Sequence, residues 1–368
     1  MKTVTTGSDF SGVGAFDYAI DRVAKQKGFN HERVYACDLD KYARITYAHN
    51  HGEPDYYPKD VYDRDIPKES LDIYMTSPPC QDFSMAGKRP KLSDKTVLFL
   101  NSHEFIQKNN PRYFCFENVK GLLSHDNGKT FQEWLNYLGG KSINGVPVLF
   151  PDENAVPYHV YWRVLNSKKH GVPQNRERVF IVGIRDDQDN TFRFPKEEHL
   201  TKKLKDVLES EVDEKYFLSD KMVSYLIKNQ DSRALPFADG NEDNENCLTS
   251  VYHKTPTNGQ YLKVKSATKK GYEEAKEGDS ITLGHSKGKQ TRRGRVGKGV
   301  AQTIQTAEKQ ATILNKSIRR LTPRECFRLQ DFPDTFDFSV VSDAQAYKQA
   351  GNSITVRVLE LILNNLNL

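Results

Sequence analysis

The chain has 368 residues, with 54 Lys and Arg against 49 Asp and Glu and a formal net charge of +5; at roughly 150 residues per domain this predicts about two domains and excludes a small disulfide-stapled module. The balance is mildly basic without a long basic tail, so a polyanionic partner is allowed but not demanded. Five cysteines, Cys37, Cys80, Cys115, Cys247 and Cys326, are scattered singly with no CxxC pair, which argues against a disulfide framework or a zinc site and fits a reducing compartment; no metal is expected. Residues 1–10 hold no apolar signal core, and no run approaches about eighteen apolar residues, so neither export nor membrane spanning is expected and the expected location is cytoplasmic.

From residue 2 to residue 184 short apolar runs alternate with helical periodicities, the pattern of an α/β unit with a mostly parallel sheet. The predicted strands are 3–6, 33–37, 71–75, 113–117, 159–164 and 179–184, bounded by Gly, Pro, Asp or Asn. Phe16, Ile20, Val23 and Ala24 fall on one stripe of a 3.6-residue period, and Gly28 ends that helix. Beyond Phe194 and Pro195 charge density rises, and the acidic run 239–246 reads as a solvated loop. Residues 281–300 carry Lys287, Lys289, Arg292, Arg293, Arg295 and Lys298 with five glycines and no Asp or Glu, the strongest charge cluster in the chain. Regularity returns near Ile318, with Thr322 as N-cap, Pro323 opening a helix and Glu325 in its first turn. A last helix over 354–366 closes the chain. These shifts divide it into 1–190, a second unit 191–316, and a segment 317–368 that returns to the first.

The first strand-to-helix turn, Ser8 to Ala15 (SDFSGVGA), brings Gly12 and Gly14 to a helix N-terminus, where a ligand can approach the backbone closely. Asp38 ends the second strand and can accept two ribose hydroxyls, so the pair favours an adenosine-containing cofactor. Asp60 can accept from an adenine amino group or simply close a turn. Ser77 to Ser84 (SPPCQDFS) follows the third strand directly. Two prolines stiffen that loop at the carboxyl edge of the sheet, which makes Cys80 a nucleophile rather than a small buried apolar residue. The next strand ends in Phe116, Glu117, Asn118 and Val119 and delivers a carboxylate to the same edge. Arg176 and Arg178, in QNRER, fall on one face by the period of two and suit an anion or carbonyl oxygen.

Taken in order, DFSGVG, Asp38, Asp60, PPCQDFS, FENV, QNRERVFIVG, RRLTPRECFRLQDFP and YKQAGNSI make the chain resemble a DNA (cytosine-5)-methyltransferase of the bacterial restriction-modification type. The resemblance implies a Rossmann-like S-adenosylmethionine-dependent methyltransferase fold with a smaller target-recognition domain. It makes residues 1–190 the catalytic domain and 191–316 the target-recognition domain. It implies that Cys80 attacks C6 of a flipped cytosine, that Glu117 serves N3, and that Arg178 with Arg176 holds the O2 side. For the cofactor it implies Phe10, Gly12, Gly14, Asp38, Asp60, Pro79, Leu98, Asn352 and Ser353. Asn352 also reads as a helix cap.

The partner implied is double-stranded DNA, contacted by Arg292, Arg293, Arg295, Lys298 and Thr303, with no membrane, a monomeric protein, and a cognate restriction endonuclease acting separately. The chain departs from the family pattern at Asp9, Ala15, Asp38 and Lys59, all around the cofactor. Two alternatives share the fold: a tRNA cytosine-5 methyltransferase, and a DNA-binding protein that has lost catalysis. The first lacks support because its Cys-Phe-Thr triad is missing, and the second because Cys80, Glu117 and Arg178 are all present.

Overall fold

A computed structural model describes residues 1–79, 96–218, 262–265, 268–269, 271–276, 278–282, 295–304, 306, 310–314 and 317–368. The first half runs β1 (Thr3–Asp9), α1 (Ala15–Lys27), β2 (Asn30–Cys37), α2 (Lys41–His51), β3 (Ile73–Thr76), α3 (Thr96–Asn109), β4 (Tyr113–Val119), α4 (Lys129–Leu138), β5 (Ser142–Ile143), β6 (Val146–Pro147), β7 (Tyr158–Asn166), β8 (Gln174–Asn175) and β9 (Glu177–Arg185). All six predicted strands are present. In α1 the stripe of Phe16, Ile20, Val23 and Ala24 is buried. The helix stops at Gly28, whose left-handed backbone (φ 75°) lets its N–H reach the Ala24 carbonyl.

The large sheet has the order β2-β1-β3-β4-β9-β7-β5-β6. Its first four strands are mutually parallel, as is the β5–β7 pair. β9 runs antiparallel to both β4 and β7, so the sheet is mixed. The reason is the connection: residues 167–176 are all that separate β7 from β9, too few for the crossover that parallel neighbours need. Residues alternate between two cores. Ile73, Met75, Tyr113 and Cys115 face one beneath α1, whereas Tyr74, Phe114 and Phe116 face the other with Phe99, Phe105 and Trp134.

The second half holds β10 (Leu262–Lys265), β11 (Tyr272–Ala275), β12 (Ser280–Thr282), β13 (Val296–Gly297), β14 (Ala301–Gln302), β15 (Gln310–Leu314), β16 (Ser317–Arg320), α5 (Pro323–Arg328), α6 (Asp343–Asn352) and α7 (Val356–Asn364). β13-β12-β15-β16 form a small antiparallel sheet over a core of Val264, Ala275, Ile281, Ala311 and Ile313. Pairing of β16 with β15 carries this unit to Arg320, past the expected boundary at 316. Phe192, Leu204 and Val207 are buried in the large core, so the start of the expected second unit packs with the first. β14 pairs parallel with β8 and joins the two units. Thr322 and Glu325 form the predicted capping box. The last helix is shorter than predicted; it packs on α1, where Arg22 pairs with Glu360 and Asp331. Among the described residues no helix is long and apolar enough to cross a membrane.

Candidate active site

β1, β3 and β4 leave their carboxyl ends at one edge of the large sheet, and β9, running the other way, enters there. Arg178 is paired with Val119, two residues beyond Glu117 on the same face. Its Nε lies 3.0 Å from Glu117 Oε1, the two side chains being 15% and 10% exposed. Burial raises the pKa of Glu117, and the positive charges of Arg178 and then Arg176 act against that rise. Asn118 Nδ2 donates to the Pro78 carbonyl at 3.2 Å, tying the end of β4 to the loop after β3. Pro78 is buried and Pro79 exposed. Cys80 lies outside the described residues. Cys37 and Cys115 are buried thiols that desolvation holds protonated, Cys37 with a pKa of about 12, so neither is a thiolate nucleophile near neutral pH.

Arg176 does not join the Glu117–Arg178 ion pair. It is 2% exposed, and its guanidinium donates to the carbonyls of Ile304 (3.3 Å), Gly351 (3.2 Å) and Ser353 (2.6 Å). Arg176 therefore fastens the start of β9 to the segment after β14 and to the turn after α6. Its charge is felt at Glu117 from outside hydrogen-bonding contact.

In the first turn Phe10 (φ 57°), Gly12 (φ 56°) and Gly14 (φ 82°) are all left-handed. A Cβ on Gly14 would collide with the His51 ring, whereas one on Gly12 would meet nothing within 4 Å. Asp38 closes this turn: Oδ2 accepts from the Gly12 N–H at 2.7 Å and Oδ1 from the Asp40 N–H at 2.8 Å. Burial raises the Asp38 pKa and these two hydrogen bonds oppose it. Asp60 Oδ1 accepts from the Tyr62 N–H at 3.0 Å, an Asx turn. Phe10 and Leu98 are half-buried at the rim of the same core.

Asn352 is exposed on the last turn of α6, and the residue at the N-cap of α7 is Thr355, so Asn352 is not the cap of the last helix. Ser353 is buried, with its carbonyl held by Arg176. Arg295 is exposed. Lys298 Nζ is 3.1 Å from Asp279 Oδ2, and the Thr303 hydroxyl donates to the Asn175 carbonyl at 2.9 Å. Arg292 and Arg293 lie outside the described residues. Sequence reasoning left Asn118 and Gln174 without roles. Gln174 Oε1 accepts from the Ile304 N–H at 3.0 Å, and its Nε2 donates to the Leu329 carbonyl. Both residues sit inside the quoted motifs, but only their distant partners reveal what they do.

The family model for C-5 cytosine-specific DNA methylase matches residues 4–367. The orphan methyltransferase M.SPRI of Bacillus phage SPR is 30% identical over 455 aligned residues, covering 100% of this chain and 98% of its own. The type II methyltransferase M.NlaX of Neisseria lactamica is 32% identical over 362 residues, covering 96% and 93%. The crystal structure of a mutant of Spodoptera frugiperda DNMT2 shares the fold, with a TM-score of 0.61 at 18% identity over 98% of each chain. Matched along nearly its whole length, with an acid and an arginine paired at the carboxyl edge of its sheet, the chain belongs to the C-5 cytosine-specific DNA methylase family and is a DNA cytosine methyltransferase of the S-adenosylmethionine-dependent kind.

Proposed function

We propose that the protein methylates C5 of cytosine within one short double-stranded DNA sequence, through a covalent bond between Cys80 and C6 of an extrahelical base. The observation that carries this reading is the half-buried Glu117–Arg178 ion pair, 3.0 Å long, beside the loop that Asn118 holds at Pro78. Cytosine is a poor carbon nucleophile until a thiolate adds to C6. That addition pushes electron density toward N3, where Glu117 supplies a proton, and leaves C5 enamine-like. Arg178 steadies the O2 side of the ring. Loss of the C5 proton to a base or water then expels Cys80. None of these atoms is reachable inside a stacked duplex, so the base is flipped at a cost of a few kcal/mol.

S-adenosylmethionine supplies the methyl group as an electrophile. The residues present fit it: the Gly12 turn opens onto unfilled space, the Asp38 carboxylate stands on that turn, and Phe10 and Leu98 offer a half-exposed apolar wall. Asp38 holds the ribose, Asp60 the adenine amino group, and Gly14, Pro79, Asn352 and Ser353 complete the pocket. The small sheet and the basic segment around Arg292, Arg293 and Arg295 follow the DNA phosphates. The type II relatives support a role in a restriction-modification pair with a separately acting endonuclease, and the protein works as a monomer in the cytoplasm.

Cytosine-conversion sequencing at base resolution tests the reading, using genomic DNA of a methylation-deficient host expressing either the protein or its Cys80→Ser variant. Methylation at one short recurring motif, lost in the variant, supports it. Methylation that persists in the variant removes Cys80 as nucleophile, and none with either protein refutes the reading.

A further inference from the structure

The residue before Phe10 is Asp9, and its carboxylate lies in the core rather than at the surface, 1% exposed. Oδ2 accepts from Arg64 Nη2 at 2.8 Å and from the Tyr74 hydroxyl, and Oδ1 accepts from the Tyr35 hydroxyl. The Arg64 side chain is equally enclosed, 2% exposed, and donates onward to the Val61 carbonyl and, at 2.9 Å, to the Asn101 carbonyl. Its guanidinium lies 5.3 Å from the ring of Phe105, which stacks on Tyr74 at 4.0 Å and on Tyr35 at 5.3 Å.

Taking two charges out of water carries a desolvation penalty that their attraction must offset, so an ion pair this deep is weak evidence of a stabilising role. Its placement is more informative. Asp9 directly precedes Phe10, Val61 directly follows Asp60, and Asn101 lies one helical turn after Leu98. One guanidinium thus touches three of the segments assigned to the cofactor pocket, those of Phe10, Asp60 and Leu98. Between α2 and β3 the chain has no helix or strand of its own, and ordering such a loop on binding carries an entropic cost for every residue that is fixed. Only a planar fork of five donors serves a carboxylate and two carbonyls at fixed angles; an ammonium on a flexible stem does not.

We propose that Arg64 is a positioning residue for the S-adenosylmethionine pocket, holding the segments of Phe10, Asp60 and Leu98 in register through its ion pair with Asp9 and its bonds to two main-chain carbonyls. The proposal rests on the assignment of those three residues to the cofactor.

The test compares the Asp9→Leu/Arg64→Met double variant and Arg64→Lys with the wild type. The readouts are thermal unfolding, titration calorimetry with S-adenosylmethionine, and binding of a mixed-sequence DNA duplex at low salt without cofactor. The double variant removes both charges together but also takes the acceptor from the buried Tyr35 and Tyr74 hydroxyls, so some stability is lost, whereas Arg64→Lys keeps a cation beside Asp9. The expected result is cooperative unfolding at a somewhat lowered temperature and unchanged duplex binding, with the cofactor Kd weakened about tenfold in the double variant and about threefold or more in Arg64→Lys. A double variant that unfolds cooperatively and keeps the wild-type Kd overturns the proposal. Should it not fold, a folded Arg64→Lys protein with wild-type Kd does the same. Phe10→Ala, Asp60→Ala and Leu98→Ala are titrated alongside. If none weakens the cofactor, the assignment itself fails and the proposal falls with it; if they weaken it and the Arg64 variants do not, only the positioning role is lost.

Discussion

Arg178 and Glu117 belong to antiparallel neighbours, and their side chains meet at 3.0 Å, where the arginine opposes the burial that raises the Glu117 pKa. In the proposed reaction Glu117 is the proton donor, and a donor acts only while it holds its proton. Its raised pKa therefore extends its working range upward, and the basic limb of kcat against pH marks the loss of that proton.

Arg178→Met removes the larger of the two opposing charges, so the Glu117 pKa rises further. We expect the basic limb to move to higher pH while the rate falls by about 10²-fold or more. Single-turnover methyl transfer, followed from about pH 5 to about pH 10, checks this. A limb displaced to lower pH contradicts the assignment of Glu117 as the proton donor.

Gly12 and Gly14 make opposite predictions although both are left-handed. Gly14→Ala combines backbone strain with a collision against His51, and should cost about 2 kcal/mol or more of stability. Gly12→Ala meets no protein atom and should cost about 1 kcal/mol, yet weaken S-adenosylmethionine binding because its new methyl group fills the open turn. Urea unfolding and calorimetry separate the two. Equal cofactor affinity in Gly12→Ala and wild type would place the cofactor elsewhere.

Arg176→Met leaves three buried carbonyls without their donor. We expect a loss of about 3 kcal/mol in unfolding free energy, together with lost activity. Native stability with activity abolished would return Arg176 to the base itself.

The basic segment should reveal itself in salt dependence. Each lost phosphate contact reduces the slope of log K against log salt by about 0.9, so the combined Arg292→Ala, Arg293→Ala, Arg295→Ala variant should flatten it by about 2 to 3. Lys298→Ala should change it little, since Asp279 already pairs with that ammonium. An unaltered slope in the triple variant makes the segment a solvated loop.

Where much of the candidate site lies in the fold was legible because its residues are tied to local order. Glu117 at the end of a strand, Asp38 at the end of another and the glycines at a helix start are positions that periodicity and turn chemistry specify. Arg176 shows where that ends. Its period-two relation to Arg178 placed the two on one face, but the residue precedes β9 and its partners lie 128, 175 and 177 positions away. Asp9 shows the same limit, since nothing near it in the chain announces Arg64.

By itself the sequence determined six strands and the first helix of residues 1–190, the capping of α5, and the order of motifs that makes this a cytosine methyltransferase. These follow from alternation, turn residues and side-chain chemistry, which act over a few residues. Only the tertiary structure decided that β9 runs antiparallel, that Arg176 clamps carbonyls, that Asp38 braces Gly12 and that Arg64 reaches Asp9. Such contacts depend on which distant segments pack together, and a buried charge or carbonyl takes the partner that packing brings within about 3 Å.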